Sequence, residues 1–373
     1  MNISIYVRNI LKVQETVITI KNIFNFLFSM KAIYIDDNNR ILLDKFLRNY
    51  PYHPATNVFE WKKILNISYN AKIFFIIILD NSNNACGLCS FYIIKDLKGN
   101  YNLYSMRYGI IIENNEAEKF LLNFLNDFII KNNIKNYLLT SGKQKFFQNL
   151  NFSTKTTLEL YLDQTEEENW NKLRSKTRNM IRKSFKSNLK SEYGFQNIKE
   201  FYDIYVKSMI NKNLPIHSLN FFLNMKEFLK ENVELIVVKK NNIIIGGIII
   251  LFSKNIVTYP FQSALSEYLD TSPNQFLIWE TIKKCIRNKI YRLDMGESTE
   301  DGSVYNFKKN FGGIPKKIFY YNNLKTTGDN KKDFIQKNRS FSFFKLENKI
   351  RPYYPFWIKK RISLWLKKKS RLI

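Results

Sequence analysis

Three apolar runs follow one another between Glu234 and Ser263: Glu234–Lys239, Ile243–Ser253 and Ile256–Ser263. Only short Asn-Asn and Lys-Asn breaks separate them. A strand that meets so tight a turn can only return beside itself, so the stretch predicts an antiparallel meander. The flanks narrow the choice further. Upstream, Thr165 is placed to N-cap a helix whose first turn carries Glu166–Glu168 at its positive end, and the apolar spacing continues through Trp170–Leu189. Two more helices are expected at Lys199–Asn211 and, after Pro215–His217, at Asn220–Lys230. Downstream, Pro273 opens a helix through Ile286, Tyr291–Met295 reads as a strand, Tyr305–Phe311 as a short helix, and Lys317–Tyr321 as a last strand.

The first half reads as a weaker version of the same mixture. Tyr34–Ile35, Ile73–Leu79, Leu88–Ile94 and Asn102–Ser105 have strand character, broken by the polar turns Asp80–Asn84 and Asp96–Asn100. Glu116–Ile130 places Phe120, Leu121, Leu125, Phe128 and Ile129 at helical spacing, and Leu158–Leu162 reads as a closing strand.

A chain of 373 residues fits two domains of middling size. Its 59 basic and 32 acidic residues give a net charge of +27, which favours a polyanionic partner: nucleic acid, a phosphorylated precursor or an anionic membrane face. The accompanying wealth of Lys, Asn, Ile, Phe and Tyr is also what AT-rich coding produces. Helix-turn-helix, RNA-recognition and zinc-finger signatures are missing, so sequence-specific nucleic-acid binding is not expected. Cys86-Gly-Leu-Cys89 has redox or metal spacing, but the third cysteine, Cys285, forms no second pair and the two histidines lie elsewhere. Reduced, buried thiols and no metal are the expectation. The longest apolar runs, Ile73–Leu79 and Ile243–Phe252, are well short of the roughly 20 residues that cross a bilayer. Val17–Phe28 carries Lys21 and no small-residue cleavage site follows it, so a cytoplasmic location is expected.

The order two helices, meander, helix, strand, helix, strand is that of the GNAT acyltransferases. The expected fold class is therefore α+β: tandem GNAT-like domains with mixed, mainly antiparallel sheets, plus a basic helical C-terminal tail. Residues 1–162 would form a degenerate first domain, 163–325 the catalytic domain, and 326–373 the linker and tail. Two segments carry a closer resemblance. Trp170-Asn-Lys-Leu-Arg-Ser-Lys-Thr-Arg178-Asn-Met-Ile-Arg182 and the block from Asp294-Met-Gly296-Glu to Tyr305-Asn-Phe307-Lys308-Lys-Asn-Phe311-Gly312-Gly resemble the FemAB-type transferases, notably those that accompany exosortase and exopolysaccharide systems. Tyr202, Tyr205, Pro215–Ser218, Phe221–Phe222, Pro273-Asn274 and, upstream, Tyr52-His53-Pro54 with Trp61 agree with that group; the resemblance covers about residues 45 to 323.

The resemblance implies acyl transfer to an amine or hydroxyl of a cell-envelope precursor, a peptidoglycan peptide or a polysaccharide sugar. FemA and FemX enzymes draw the acyl group from aminoacyl-tRNA. It also implies that Lys308, of the Phe-Lys pair, lies beside the transferred carbonyl, where a fixed ammonium stabilises developing negative charge. Arg174, Arg178 and Arg182 recur every four residues on one expected helix face, suited to phosphate or simply solvated. Arg178 and Arg182 are thus candidate substrate contacts, with Tyr259, Gln262, Asn274, Glu297 and Tyr305. Asp294, Glu297 and Asp301 are the carboxylates near the loop; FemAB chemistry is thought to lean on the substrate for proton transfer, so none need be a base.

No cofactor is expected beyond the donor substrate, aminoacyl-tRNA or acyl-CoA. Acetyl-CoA enzymes hold pyrophosphate on a Gly-rich turn at a helix start. Here the corresponding Asp270–Phe276 contains no glycine, and Arg107–Asn114 only Gly109, which argues against ordinary CoA binding. The tail, Arg339–Ile373, has 11 basic residues, one acid and eight aromatics. Its Phe356–Lys369 segment would form an amphipathic helix for the anionic inner face of the cytoplasmic membrane, or one that packs back on the protein. The alternative to an enzyme is a non-catalytic basic membrane- or RNA-binding protein that keeps the fold.

Overall fold

The computed structural model describes residues 30–50, 52–142, 150, 152–322 and 355–369. The first half contributes β1 (Lys31–Tyr34), β2 (Lys72–Leu79), β3 (Ala85–Lys95), β4 (Tyr101–Ile112), β5 (Ile134–Ser141) and β6 (Phe152–Tyr161). The second contributes β7 (Lys190–Tyr193), β8 (Val233–Lys240), β9 (Ile243–Phe252), β10 (Val257–Ala264), β11 (Arg292–Ser298) and β12 (Ile314–Asn322). All twelve join one sheet in the order β1-β2-β3-β4-β5-β12-β6-β11-β10-β9-β8-β7. The meander is present as β8-β9-β10 with antiparallel pairing throughout.

Both faces of this sheet are covered, which explains why its strands read as continuous apolar runs. In β2, Ile73, Phe75 and Ile77 join one buried cluster while Ile76 and Ile78 join the other. The helices on the faces are α1 (Ile41–Arg48), α2 (Trp61–Tyr69), α3 (Asn115–Lys131), α4 (Glu166–Lys172), α5 (Ser175–Lys186), α6 (Ile198–Asn211), α7 (Leu219–Leu229), α8 (Pro273–Arg287), α9 (Ser303–Asn310) and α10 (Phe356–Lys367). One buried cluster draws Trp61, Ile64 and Leu65 from the first half and Phe221, Phe222 and Leu251 from the second, with Trp61 and Phe221 ring centroids 6.2 Å apart.

The two halves exchange their last strands. β6, the closing strand of the first half, runs between β11 and β12 of the second, antiparallel to both. β12 in turn lies antiparallel against β5 of the first half. A side chain on β6 therefore sits within reach of the second-half site.

Two local readings differ from the sequence expectation. The helix expected from Thr165 through Leu189 is broken: Leu173 and Arg174 are extended between α4 and α5, and Lys190 begins an edge strand. Thr165 caps α4 in a full capping box with Glu168, as expected. The break is held by Arg178, whose Nη1 donates to the carbonyls of Asn171 and Leu173, the ones α4 leaves open at its end. Arg174 consequently lies at the α5 N-cap rather than on a shared helix face with Arg178 and Arg182. The second difference is Arg107–Ile112, which belongs to β4 and is no phosphate turn; the helix after it starts at Asn115, capped by Asn114.

Candidate active site

β10 and β11 are parallel neighbours over two residue pairs only, Val257 with Leu293 and Thr258 with Asp294. Each then breaks register with its other neighbour, β10 between Thr258 and Phe261 and β11 between Asp294 and Glu297. Paired irregularities of this kind bend strands apart. A cavity of about 900 Å³ occupies the region, lined by Thr258–Gln262 of β10 and Asp294–Glu297 of β11. Gly296 stands in the irregular part of β11 at φ +81°, a conformation that L side chains rarely adopt.

Lys308 lies under that bend. Its helix, α9, is anchored by Phe307 and Phe311, whose rings pack 5.3 Å apart in the second core. The ammonium donates to the carbonyls of Gly296 (2.9 Å) and Glu297 (3.1 Å) and to Ser298 Oγ (2.9 Å). Only 5% of the residue is exposed. Burial lowers its pKa to about 8, with Asp294 and Glu297 opposing that fall and Arg107 adding to it. All three donors of the ammonium are engaged, so Lys308 braces the bend as well as lining the cavity.

The arginine that meets this site comes from the other half. On β4, Tyr108 has φ +50° and a Cβ on Gly109 would lie 2.5 Å from the Ser90 carbonyl oxygen, so the backbone kinks there. Asn57 Nδ2 donates to the carbonyls of Arg107 and Tyr108, and Ser90 Oγ donates to Asn57 Oδ1. The kink delivers Arg107 to Asp294, with Nε to Oδ2 at 3.2 Å and Nη2 to Oδ2 at 2.8 Å and Oδ1 at 3.1 Å. Nη1 reaches Glu297 Oε1 at 3.2 Å. Burial works against the guanidinium charge, but Asp294 and Glu297 outweigh it and its pKa is raised.

Asp294 Oδ1 also accepts from Thr157 Oγ1 on β6 (2.7 Å) and from the Gly296 amide (2.8 Å). A carboxylate so occupied anchors the backbone of the bend. Glu297 accepts from Tyr320 Oη on β12 and pairs with Lys155 on β6 at 3.4 Å. The swapped strands thus complete the polar end of the site.

Of the residues singled out from sequence, Lys308, Tyr259, Gln262, Asn274 and Glu297 line the cavity together. Gln262 Nε2 donates to Asn274 Oδ1 (3.2 Å) and its carbonyl (3.3 Å), tying β10 to the start of α8. Burial pushes the Tyr259 hydroxyl pKa up. Arg178, Arg182 and Tyr305 are not among the lining residues. Arg178 is spent on the α4–α5 corner; Arg182 bonds Asn179 and lies over the Trp170 ring at 5.4 Å; Tyr305 is buried on α9 with Lys309 over its ring. Asp301 is exposed and also off the cavity. Lys155, Thr157 and Tyr320 escaped the sequence reading because their role depends on strand exchange, and Arg107 because it acts across the two halves from the β4 kink; the one local signal was Arg107 beside Gly109.

The far end of the cavity is apolar, with Trp61, Tyr104, Leu251 and Phe261 on its walls. His217 lines it too, stacked on Phe221 at 4.1 Å, its Nδ1 2.6 Å from Tyr69 Oη. Burial, and then Lys367, holds the His217 pKa well below the usual value, so the ring is neutral. α10 supplies the wall through Leu366 and Lys367, and the turn after it through Lys369. The tail helix therefore packs back on the protein: Ser363 is buried and its carbonyl accepts from Ile216 N. The rest of the tail and the N-terminal segment that carries Val17–Phe28 lie outside the described residues.

In the first half the equivalent parallel pair, β4 with β5, separates beyond Tyr104 and Leu138. There Thr140 N donates to Ser105 Oγ (2.7 Å) and Thr140 Oγ1 to the Met106 carbonyl (2.8 Å), which closes the gap. Cys86, Cys89 and Cys285 are buried free thiols, and no group of metal-ligating side chains occurs among the described residues. Nor is any described helix long and apolar enough to cross a membrane.

Residues 171–309 match the acetyltransferase (GNAT) domain family. No curated protein matches the chain. Among solved structures, FemX is similar with a TM-score of 0.63 and 14% identity, over 78% of this chain and 97% of that one. A tandem GNAT protein from the clavulanic acid biosynthesis pathway gives a TM-score of 0.52 and 7% identity, over 81% and 100%. The C-terminal domain of a putative lysylphosphatidylglycerol synthetase from Agrobacterium fabrum gives 0.50 and 7%, over 76% and 91%. At these identities the likeness is one of fold. The chain has the tandem GNAT fold and carries a GNAT-type acyltransferase domain.

Proposed function

We propose that this tandem GNAT chain transfers an acyl group, acetyl or aminoacyl, to an amine or hydroxyl of a cell-envelope precursor, a peptidoglycan peptide or polysaccharide sugar, and that the reaction occurs in the β10–β11 cavity. The observation that carries the reading is Lys308: a buried ammonium held under the bend where two parallel strands part, on a cavity wall. Besides bracing the bend, the ammonium stands on the cavity wall, where it can meet a transferred carbonyl.

In the proposed reaction the acceptor nitrogen or oxygen attacks the donor carbonyl carbon, a new C–N or C–O bond forms, and the carbonyl oxygen becomes an oxyanion. Of the three partners of Lys308, the Ser298 hydroxyl is the exchangeable one, because it can rotate while the two backbone carbonyls cannot. The freed N–H then meets the oxyanion. Collapse breaks the bond to the donor's oxygen or sulfur, which leaves with the proton of the acceptor. Arg107, Asp294 and Thr157 position the bend rather than exchange protons. The turn at Asp270–Phe276, without glycine, weighs against ordinary acyl-CoA binding and makes aminoacyl-tRNA the donor to test first.

The same reading puts the protein at the anionic inner face of the cytoplasmic membrane, through the tail. The test is transfer of label from aminoacyl-tRNA and, separately, from acetyl-CoA to envelope precursors extracted from cells. Label in the precursor pool from aminoacyl-tRNA supports the reading. Low-micromolar acetyl-CoA binding with acetyl transfer would move the donor to acyl-CoA, and no transfer from either would leave the binding-protein alternative.

A further inference from the structure

β1 is half the length of the strand it covers. Its residues Lys31–Tyr34 lie opposite Leu79–Ile76, and the chain then leaves the sheet through a turn in which Asp36 Oδ1 accepts the amides of Asn38 and Asn39. Lys72–Phe75, at the start of β2, therefore have no strand on their outer side. A last bond, from Ile35 N to the Phe75 carbonyl at 2.8 Å, places the backbone groups of the odd-numbered β2 residues on that side. At the far end Ala71 is closed off by α2, its carbonyl accepting from Asn66 Nδ2 at 3.3 Å and its N–H reaching the Leu65 carbonyl at 3.5 Å. Between these two points the N–H and C=O of Ile73 face outward, and no hydrogen bond among the described residues reaches either. A sheet edge with a free donor and acceptor is a template for another strand.

A groove of about 700 Å³ runs along this open edge. Lys62, Lys63 and Ile67 of α2 wall one side, and Tyr34 with the Asp36–Asp37 turn closes one end. Ile67 is 60% and Tyr34 48% exposed, apolar surface that a further strand would cover. The rim is cationic. Lys62, Lys63 and Lys72 form no ion pair among the described residues, and Lys62 rests over the Phe59 ring at 5.0 Å. The facing carboxylates are engaged elsewhere: Asp36 holds its own turn, and Asp37 lies near the Arg40 guanidinium. The groove shares no lining residue with the β10–β11 cavity.

We propose that this edge binds an extended, acidic segment of a partner protein by strand addition. The segment lies alongside Lys72–Phe75 and exchanges backbone bonds with Ile73 in both directions. Its carboxylates meet Lys62, Lys63 and Lys72, and its apolar side chains cover Ile67 and Tyr34. The main-chain bonds hold the segment, and the lysines select for its charge.

The experiment is calorimetry of the full chain with two end-blocked hexapeptides of alternating Glu and Val, one of them N-methylated throughout. The two carry the same charge, but only the unmethylated one can pair with a strand edge. It is expected to bind at least about tenfold more tightly than the methylated peptide. A Lys63→Glu, Lys72→Glu double variant should bring its affinity down to that of the methylated peptide. Both lysines are exposed, so the variant should keep the circular dichroism spectrum of the parent, and any transfer activity should be unchanged because neither lines the cavity. Hydrogen exchange gives a second readout: the Ile73 amide should exchange freely in the chain alone and slow by about tenfold or more with the peptide. Equal affinity for the two peptides, or a double variant that binds like the parent, would reduce the effect to attraction of acids by a basic chain and overturn the proposal. An Ile73 amide already protected in the chain alone would also overturn it, because the edge would then be filled by the chain itself or by a second copy.

Discussion

Arg107 and Asp294, 187 positions apart in the chain, are joined across the two halves by a two-pronged ion pair with Nη2 2.8 Å from Oδ2. Asp294 is 1% exposed, so neither charge can be removed alone without leaving its partner stranded in the interior. Breaking a buried pair from one side costs on the order of 3–5 kcal/mol, whereas replacing both members by apolar groups is often nearly neutral. Arg107→Ala should therefore lower the unfolding free energy by about that amount in denaturant titration. An Arg107→Met, Asp294→Leu double variant should recover most of the stability without recovering transfer, because the bend over Lys308 loses its anchor. A destabilisation below about 1 kcal/mol in the single variant would place the pair in the ordinary range of exposed ion pairs.

Lys308 supplies a pH dependence. Its pKa is lowered to about 8, so the ammonium is present below that value and is lost as the pH rises through it. A rate that depends on the ammonium should fall above about pH 8, and Lys308→Arg, which stays charged, should lose that falling limb. The stability linkage has the opposite sense. Between about pH 8 and the ordinary lysine pKa, 10.5, the unfolded chain binds more protons than the folded one, so this group makes the protein gain stability as pH rises there. A rate–pH profile with the same alkaline limb in both proteins would remove Lys308 as its source.

Gly296→Ala tests the bend. A Cβ there has room, its nearest neighbour being Lys308 Nζ at 3.7 Å, so the cost comes from φ +81° and should be about 1–2 kcal/mol. Because the Gly296 carbonyl is a Lys308 acceptor, the variant should lose more in turnover than in stability. Thermal unfolding and single-turnover rates measured on the same preparation would separate the two effects.

Removal of residues from 355 onward should abolish sedimentation with anionic vesicles and leave the twelve-stranded sheet folded. The attachment of the full chain should weaken with salt, since exposed charges are screened over about 8–10 Å at physiological ionic strength. Equal co-sedimentation of the two proteins would show that α10 acts only as a cavity wall.

Much of this was legible in the sequence where local chemistry decides the outcome. The β8-β9-β10 meander follows from apolar runs and tight turns, and the Phe307-Lys308 helix from its flanking aromatics. What escaped is what long-range pairing decides. Nothing local to Leu158–Leu162 says that β6 will lie between β11 and β12, yet that exchange brings Thr157 to Asp294 and Lys155 to Glu297. The cationic period at Arg178 suggests phosphate; in the structure the Arg178 Nη1 caps the open carbonyls of a helix end, a use that the period alone does not reveal.

The central claim is that Lys308 stabilises the oxyanion of acyl transfer, and Lys308→Ala tests it most directly. Single-turnover transfer from aminoacyl-tRNA to an envelope precursor should fall by about 10²–10³, equivalent to roughly 3–4 kcal/mol of barrier, with the circular dichroism spectrum unchanged. Near-normal turnover in a folded Lys308→Ala protein would contradict the account.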